Sequence, residues 1–70
     1  MDNNIGNNIR KLRIEKKFTQ QELAAKSNVS LSALNKYERG KVKRPNLEVI
    51  RKISEILEIP AQELFFNDNN

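Results

Sequence analysis

The sequence predicts an all-α protein, a compact domain of five short helices. Apolar residues recur at intervals of three and four through most of the chain, as they do in helices with one buried face. Residue types that begin or end helices separate these stretches, and no stretch alternates apolar and polar residues as a half-buried strand does. Because 70 residues leave room for one hydrophobic core, we expect a single domain over residues 1–70, ordered over about 5–66 and frayed at its ends.

The first two helices are expected to follow each other closely. Asn4 is a candidate N-cap for a first helix over about 5–17, whose apolar residues stand four and three apart. Thr19 is the candidate N-cap of the second helix, because Glu22 three residues later completes the capping-box pattern. The second helix should therefore be short, over about 20–26.

A tight bend should join the second helix to a third over about 31–39. Ser30 caps the third helix, and Gly40 ends it by supplying the left-handed backbone that a helix end often requires. Three residues lie between the two helices, and one of them, Asn28, tolerates a positive φ better than most residue types. Two short helices joined so closely must cross steeply, which is the helix-turn-helix arrangement.

The fourth helix has the clearest division into an apolar and a charged half. Pro45 prevents the preceding helix from continuing, and Asn46 caps a helix over about 47–57. Its apolar half is expected to face the core and consists of Leu47, Val49, Ile50, Ile53, Ile56 and Leu57.

The last helix, over about 61–65 and begun by Pro60, should close the core with Leu64 and Phe65. Phe65 and Phe66 are adjacent on this short helix, so both rings cannot point into one small core. We therefore expect Phe66 to be exposed.

Composition argues against several classes of function. The chain has no cysteine and no histidine, so disulfides are impossible and a zinc site would lack its usual sulfur and nitrogen ligands. No glycine-rich phosphate loop is present and the carboxylates are scattered along helix faces, so neither an enzyme nor a cofactor is expected. No run of eighteen apolar residues exists and no apolar segment begins the chain, so we expect a cytoplasmic location without membrane contact.

The net charge of +4 is unevenly distributed. Residues 1–44 hold eleven Lys or Arg against four acidic residues, a net charge of +7. Residues 45–70 hold two basic against five acidic residues, a net charge of −3. This division indicates one surface meant for a polyanion and another kept away from it, with a merely solvated basic surface as the alternative.

The predicted third helix has an outward face of mixed chemistry. Its inward arc is apolar (Ala33, Leu34, Tyr37), and its outward arc carries an aliphatic group, a hydroxyl, an amide and two cations: Leu31, Ser32, Asn35, Lys36 and Arg39. In the major groove of DNA, amides and hydroxyls bond base edges, cations meet guanine O6 and N7, and an aliphatic group packs on a thymine methyl. The face therefore favours DNA reading over an ordinary polar surface with one exposed leucine.

Several motifs in the sequence resemble a known family. They are "TQQELA" opening the second helix, "VS" before the third, "YERGK" ending it and "PNL" opening the fourth. Over about residues 5–65 the chain is similar to the Cro and phage-repressor family of helix-turn-helix proteins, also called the xenobiotic response element type. The resemblance implies a five-helix domain that binds a pseudo-palindromic operator in double-stranded DNA as a homodimer and regulates transcription, most simply as a repressor.

The resemblance also implies roles for individual residues. The base-facing positions are Leu31, Ser32, Asn35 and Lys36. The positions expected to contact the DNA backbone are Arg10, Thr19, Gln20, Gln21, Arg39, Lys41, Lys43 and Arg44, and Gln20 should reach a phosphate from the start of the second helix. Arg13 and Glu38 match a structural ion pair of the family. Lys17 and Asn28 stand where the family usually has glycine, so those turns should be strained or differently shaped.

Dimerisation is expected because one short helix reads only a few base pairs, too few to define a site in a genome. A two-fold dimer would place two such helices one DNA turn apart, about 34 Å. The interface should lie away from the basic surface, in the acidic last part of the chain, where Phe66 is the candidate contact. The free dimer should be weak, because such a patch is far smaller than the roughly 1,200 Å² of a stable interface.

Two other kinds of binding remain open at this point. A helical module for protein partners would need apolar groups on the outward face of the third helix, where only Leu31 fits. A sequence-specific RNA reader would need stacking aromatics, whereas Tyr37 should point inward. Among regulators, a phage or mobile-element repressor, a restriction–modification controller and an antitoxin all fit.

Overall fold

The computed structural model describes residues 5–66, and this part of the chain folds into five helices without a strand. The helices are α1 (Ile5–Glu15), α2 (Gln20–Ser27), α3 (Leu31–Glu38), α4 (Leu47–Leu57) and α5 (Gln62–Phe66). The predicted all-α, five-helix helix-turn-helix fold is confirmed, with helix ends within two residues of those expected. The predicted cap at Asn4 and the predicted fraying of the chain ends concern residues outside this range.

Side-chain caps begin three of the helices, as the sequence predicts. Thr19 Oγ1 accepts the Glu22 N–H at 3.0 Å and the Thr19 N–H donates to Glu22 Oε1 at 2.9 Å, which completes the capping box. Ser30 Oγ accepts the Ala33 N–H at 3.0 Å. Asn46 Oδ1 accepts the N–H groups of Glu48 and Val49, the second and third residues of α4, at 2.8 and 3.2 Å. Each cap satisfies donors that the helix itself leaves unbonded.

Four residues adopt the left-handed backbone conformation at helix ends. Gly40 (φ 73°) and Asn28 (φ 60°) do so as the sequence predicts, and Lys17 (φ 66°) occupies the position where a glycine is usual. Because Lys17 turns the chain here, α1 ends at Glu15, two residues before the predicted end. Glu58 (φ 61°) ends α4 in the same way and was not identified from the sequence.

Within residues 5–66, the centre of the core holds seven large side chains with less than 2% exposure, drawn from all five helices: Ile9, Leu23, Leu34, Ile50, Ile53, Leu57 and Leu64. Phe65 packs against this cluster from the edge. The assignment of Leu47 to the core was wrong, because its side chain is 73% exposed. Leu47 is the first residue of α4, at the end of the apolar stripe, and burial begins with Val49 and Ile50.

Helices α1 and α3 approach each other very closely at Gly6. A Cβ atom on Gly6 would lie 2.0 Å from the carbonyl oxygen of Tyr37, so this approach requires a residue without a side chain. Two residues further along α1, buried Asn8 donates from Nδ2 to the Leu64 carbonyl at 2.7 Å and ties α5 to α1. Helix α1 is thus the support against which α3 and α5 are positioned. None of the described helices is long and apolar enough to cross a membrane.

Candidate nucleic-acid interface

The turn between α2 and α3 holds the two helices in a fixed relation. Asn28 takes the left-handed conformation, and the next residue, Val29, donates its N–H to the Ala24 carbonyl at 3.0 Å. The Val29 side chain is buried in the core, so the turn is anchored from within. This anchoring leaves α3 with one buried side and one side open to solvent.

The open side of α3 carries the residues that the sequence predicts would face DNA. Leu31 is 41% exposed, and Ser32, Lys36 and Arg39 are exposed as well. Asn35 lies on the same side but is partly buried. The opposite side is formed by the buried Leu34 and Tyr37 and the partly buried Ala33. The structure therefore brings together the four expected base-facing residues on one accessible surface.

The loop after α3 adds positive charge beside this surface. Lys41, Lys43 and Arg44 are exposed, and within residues 5–66 none of them forms an ion pair with a carboxylate. The Tyr37 hydroxyl accepts the Asn46 N–H at 2.8 Å and so fixes the far end of the loop to α3. The cations are thus carried on an anchored loop and remain available to phosphate groups.

The start of α2 supplies polar groups next to α3. Thr19 and Gln21 are exposed, while Gln20 is partly buried. Thr19 Oγ1 accepts a backbone N–H as the helix cap, which leaves the hydroxyl proton free to donate to an anion. Arg10, on α1, is exposed. These positions match the remaining residues expected to contact the DNA backbone.

A buried ion pair joins α1 to the last residue of α3. Arg13 donates from Nε to Glu38 Oε2 at 2.7 Å and from Nη2 to Glu38 Oε1 at 3.0 Å, so the pair is bidentate. Arg13 also donates from Nη1 to the Phe18 carbonyl at 2.9 Å, which holds the chain between α1 and α2. The side chains are 12% and 2% exposed, so these two residues are shielded from the surface that would meet DNA.

The structure adds contacts that sequence reasoning missed. Gln20 donates from Nε2 to Glu38 Oε1 at 3.0 Å, and its Oε1 accepts from Asn35 Nδ2 at 3.4 Å. Arg39 Nη1 lies 3.5 Å from Asn35 Oδ1. Gln20 was expected to contact a phosphate, and in the structure its amide bridges the ion pair and the outward face of α3. Gln20 lies 18 positions from Glu38 and 15 from Asn35 in the sequence, so no local pattern signals its two contacts.

The last two helices carry paired surface charges and an exposed aromatic ring. Arg51 on α4 lies between Glu48 and Glu55 and pairs with both. The Arg51 guanidinium, through its hydrogen bond and then its charge, holds the pKa of Glu48 below its usual range, and Glu48 in turn raises the pKa of Arg51. Phe66 is 78% exposed, which confirms the expected exposure of this ring. Among residues 5–66, no group of acidic side chains is arranged to hold a metal ion.

A family model described as helix-turn-helix matches residues 9–64 of this chain. The HTH-type transcriptional regulator SlrR of Bacillus subtilis is 41% identical over 61 residues, which cover 87% of this chain and 40% of SlrR. The chain therefore spans less than half the length of that relative.

Solved structures match over more of their own length. The N-terminal DNA binding domain of SinR from Bacillus subtilis superposes with a TM-score of 0.83 at 33% identity, covering 86% of this chain and 87% of that domain. The P22 c2 repressor protein, solved in complex with a synthetic operator, superposes with a TM-score of 0.82 at 30% identity, covering 91% of this chain and 96% of the repressor chain.

Proposed function

Because this chain belongs to the helix-turn-helix family, we propose that it binds specific sites in double-stranded DNA and regulates transcription, most simply as a repressor. The observation that carries the proposal is the outward face of α3, where an exposed hydroxyl, cation and aliphatic group lie with a partly buried amide, beside a loop whose cations form no ion pair among residues 5–66. The similarity to SlrR, a transcriptional regulator, and to the repressor solved with its operator supports it. Such a protein would act in the cytoplasm, on the nucleoid, without catalysis or a cofactor.

In this function α3 lies in the major groove and four of its side chains read base edges. Lys36 offers a cation to guanine O6 and N7, and Asn35 offers an amide to adenine N6 and N7. Ser32 bonds a base edge through its hydroxyl, and Leu31 packs on a thymine methyl group. Because Leu31 is still 41% exposed in the free protein, contact with a methyl group would remove further apolar surface from water.

The backbone contacts come from three segments around α3. The exposed cations after α3 and Arg10 on α1 attract phosphates by charge, and the start of α2 presents free N–H groups and polar side chains. These contacts set the register of α3 but carry no sequence information. The residues in this role are Arg10, Thr19, Gln20, Gln21, Arg39, Lys41, Lys43 and Arg44.

Two lysine substitutions separate base reading from backbone binding. Lys36→Ala should weaken binding to the selected operator by about 1–3 kcal/mol and weaken binding to random duplex much less, because it removes a base contact. Lys43→Ala should weaken binding to operator and to random DNA by the same factor. It should also flatten the slope of log K against log salt by about one unit for each bound subunit. The measurement is a titration of operator and random DNA at several salt concentrations, after selection of the operator from a random pool.

Two results would contradict this function. An affinity that does not change between low and moderate salt would exclude binding through phosphates. If alanine variants of all four base-facing residues left the ratio of operator to random binding at its wild-type value, α3 would not be the reading helix; the residues are Leu31, Ser32, Asn35 and Lys36.

We further propose that the protein binds a pseudo-palindromic operator as a homodimer, with Phe66 at the contact. Phe66 is 78% exposed and lies in the acidic last part of the sequence, whereas the cations that would meet DNA all lie within residues 1–44. One exposed aromatic ring buries far less than the roughly 1,200 Å² of a stable interface, so the subunits should associate mainly on DNA.

Sedimentation of the protein with and without a palindromic site tests the dimer. Wild type should bind as two subunits cooperatively, and Phe66→Ala should lower that cooperativity because the exposed ring no longer contributes apolar surface. One subunit per operator at saturation would contradict the dimer. Cooperative binding that is unchanged in Phe66→Ala would keep the dimer but exclude Phe66 as its contact.

A further inference from the structure

We propose that Gln20 is a positioning residue that sets the orientation of the Asn35 amide and thereby the preference for one adenine–thymine pair in each half-site. This inference rests on the proposed function, since it requires that α3 reads DNA. It assigns to Gln20 a role in sequence specificity, whereas a phosphate contact alone would carry none.

The basis is a continuous line of hydrogen bonds from α1 to the outward face of α3. Arg13 donates twice to Glu38, at 2.7 and 3.0 Å, and Gln20 Nε2 donates to the same carboxylate at 3.0 Å. Gln20 Oε1 then accepts from Asn35 Nδ2 at 3.4 Å, and Asn35 Oδ1 faces Arg39 Nη1 at 3.5 Å. Gln20 is the member that connects the buried pair with the reading surface.

The chemistry of the two ends fixes the direction of every bond in this line. The ionised carboxylate of Glu38 only accepts hydrogen bonds, and the guanidinium of Arg39 only donates them. Gln20 must therefore turn its NH2 group to Glu38 and its oxygen to Asn35. Asn35 must in turn direct its NH2 group to Gln20 and its oxygen to Arg39. Turning over either amide would place two acceptors or two donors against each other.

The hydrogen bonds in this line become longer towards the outward face of α3. Glu38 is almost fully buried and its bonds are short, whereas the contacts of Asn35 are long and Arg39 is exposed. An amide NH2 group has two protons and an amide oxygen has two lone pairs, so Asn35 keeps one donor and one acceptor site for a base. Adenine offers the matching acceptor and donor at N7 and N6. Asn35 is thus oriented in advance but remains able to move onto the base edge.

The test compares Gln20→Met with the matched variant Gln21→Met. Methionine keeps the length of the side chain and the helix preference but removes the amide, and Gln21 is the exposed neighbour on the same helix end. Binding is measured to the selected operator and to each of its single base-pair variants. Each protein is first shown by circular dichroism to be folded at the temperature of the titration.

Gln20→Met should lower the preference at one base pair in each half-site roughly fivefold, the factor that corresponds to about 1 kcal/mol for one neutral hydrogen bond. Asn35→Ala should affect the same base pair, and the double variant should lose little more than Asn35→Ala alone, because both substitutions act through one contact. Gln21→Met should leave the preference at that pair unchanged.

Three results would overturn the inference. Gln20→Met could weaken binding to all duplexes equally and leave every base-pair preference unchanged, which would make Gln20 a phosphate contact only. The losses of base-pair preference in Gln20→Met and Asn35→Ala could be fully additive in the double variant, or could fall at different base pairs. Either result would show that the two residues do not act through one contact. If wild type selected no sequence from a random pool, the proposed function would fail, and this inference with it.

Discussion

Gly6→Ala is expected to destabilise the fold by about 2 kcal/mol, the upper end of the usual cost of overpacking less the gain in helix preference. The added Cβ would lie 2.0 Å from the carbonyl oxygen of Tyr37, and this atom belongs to the backbone of α3, so it cannot move aside as a flexible side chain would. Overpacking of this kind typically costs about 1–3 kcal/mol and sometimes more. Alanine is a better helix former than glycine by roughly 0.5–1 kcal/mol, which offsets only part of the clash. The free energy of unfolding in denaturant measures the net effect.

Gly40→Ala is the matched control, because nothing lies within 4 Å of the Cβ that it would add. Its cost should be only the conformational one of placing a side chain at φ 73°, about 1–2 kcal/mol. A Gly6→Ala protein as stable as wild type would show that α1 and α3 can separate without loss. Even if the Gly6→Ala protein is stable with α1 and α3 moved apart, its DNA binding should change, because α1 supports the position of α3.

Glu38→Ala is expected to destabilise the protein by about 3–5 kcal/mol, the usual result of leaving one member of a buried ion pair without its partner. The Arg13 side chain is 12% exposed and would lose both bonds to the carboxylate, and Gln20 would lose an acceptor. Domains of this size are stable by only about 5–15 kcal/mol, so the variant should be close to unfolding. Thermal and denaturant unfolding report the loss.

Two further variants show whether burial is the cause. Glu48→Ala breaks an exposed pair with Arg51 and should leave the melting temperature close to that of wild type. Replacing Arg13 and Glu38 together by Met and Leu should recover much of the stability, because no buried charge is then left unpaired. If Glu38→Ala had the melting temperature of wild type, the buried pair would make no measurable contribution to stability.

The parts of this structure that could be predicted from the sequence are those set by neighbours in the chain. Thr19, Ser30 and Asn46 cap helices through bonds to residues two or three positions away, so a short motif is enough to locate them. The left-handed turn at Asn28 follows from the properties of one residue type. The candidate reading face of α3 follows from helical periodicity alone.

The parts that could not be predicted depend on residues distant in sequence. Gly6 matters because Tyr37, on another helix, passes directly over it. Gln20 bonds Glu38 and Asn35 only because α2 and α3 cross where they do. The Arg13–Glu38 pair was predicted from the resemblance to a family, because the spacing of the two residues in the sequence does not indicate that they meet. Leu47 was misplaced because a helical wheel does not show where along the helix the core begins.

The left-handed turns at Lys17, Asn28 and Glu58 have a consequence for the unfolded chain. A side chain in this conformation strains the folded state by about 1–2 kcal/mol. A glycine would remove that strain but would give the unfolded chain more freedom to lose on folding, worth about 0.4–1 kcal/mol. The second effect offsets part of the first, so a turn whose geometry favours glycine carries a charged side chain at Lys17 and at Glu58 at a net cost smaller than the strain itself.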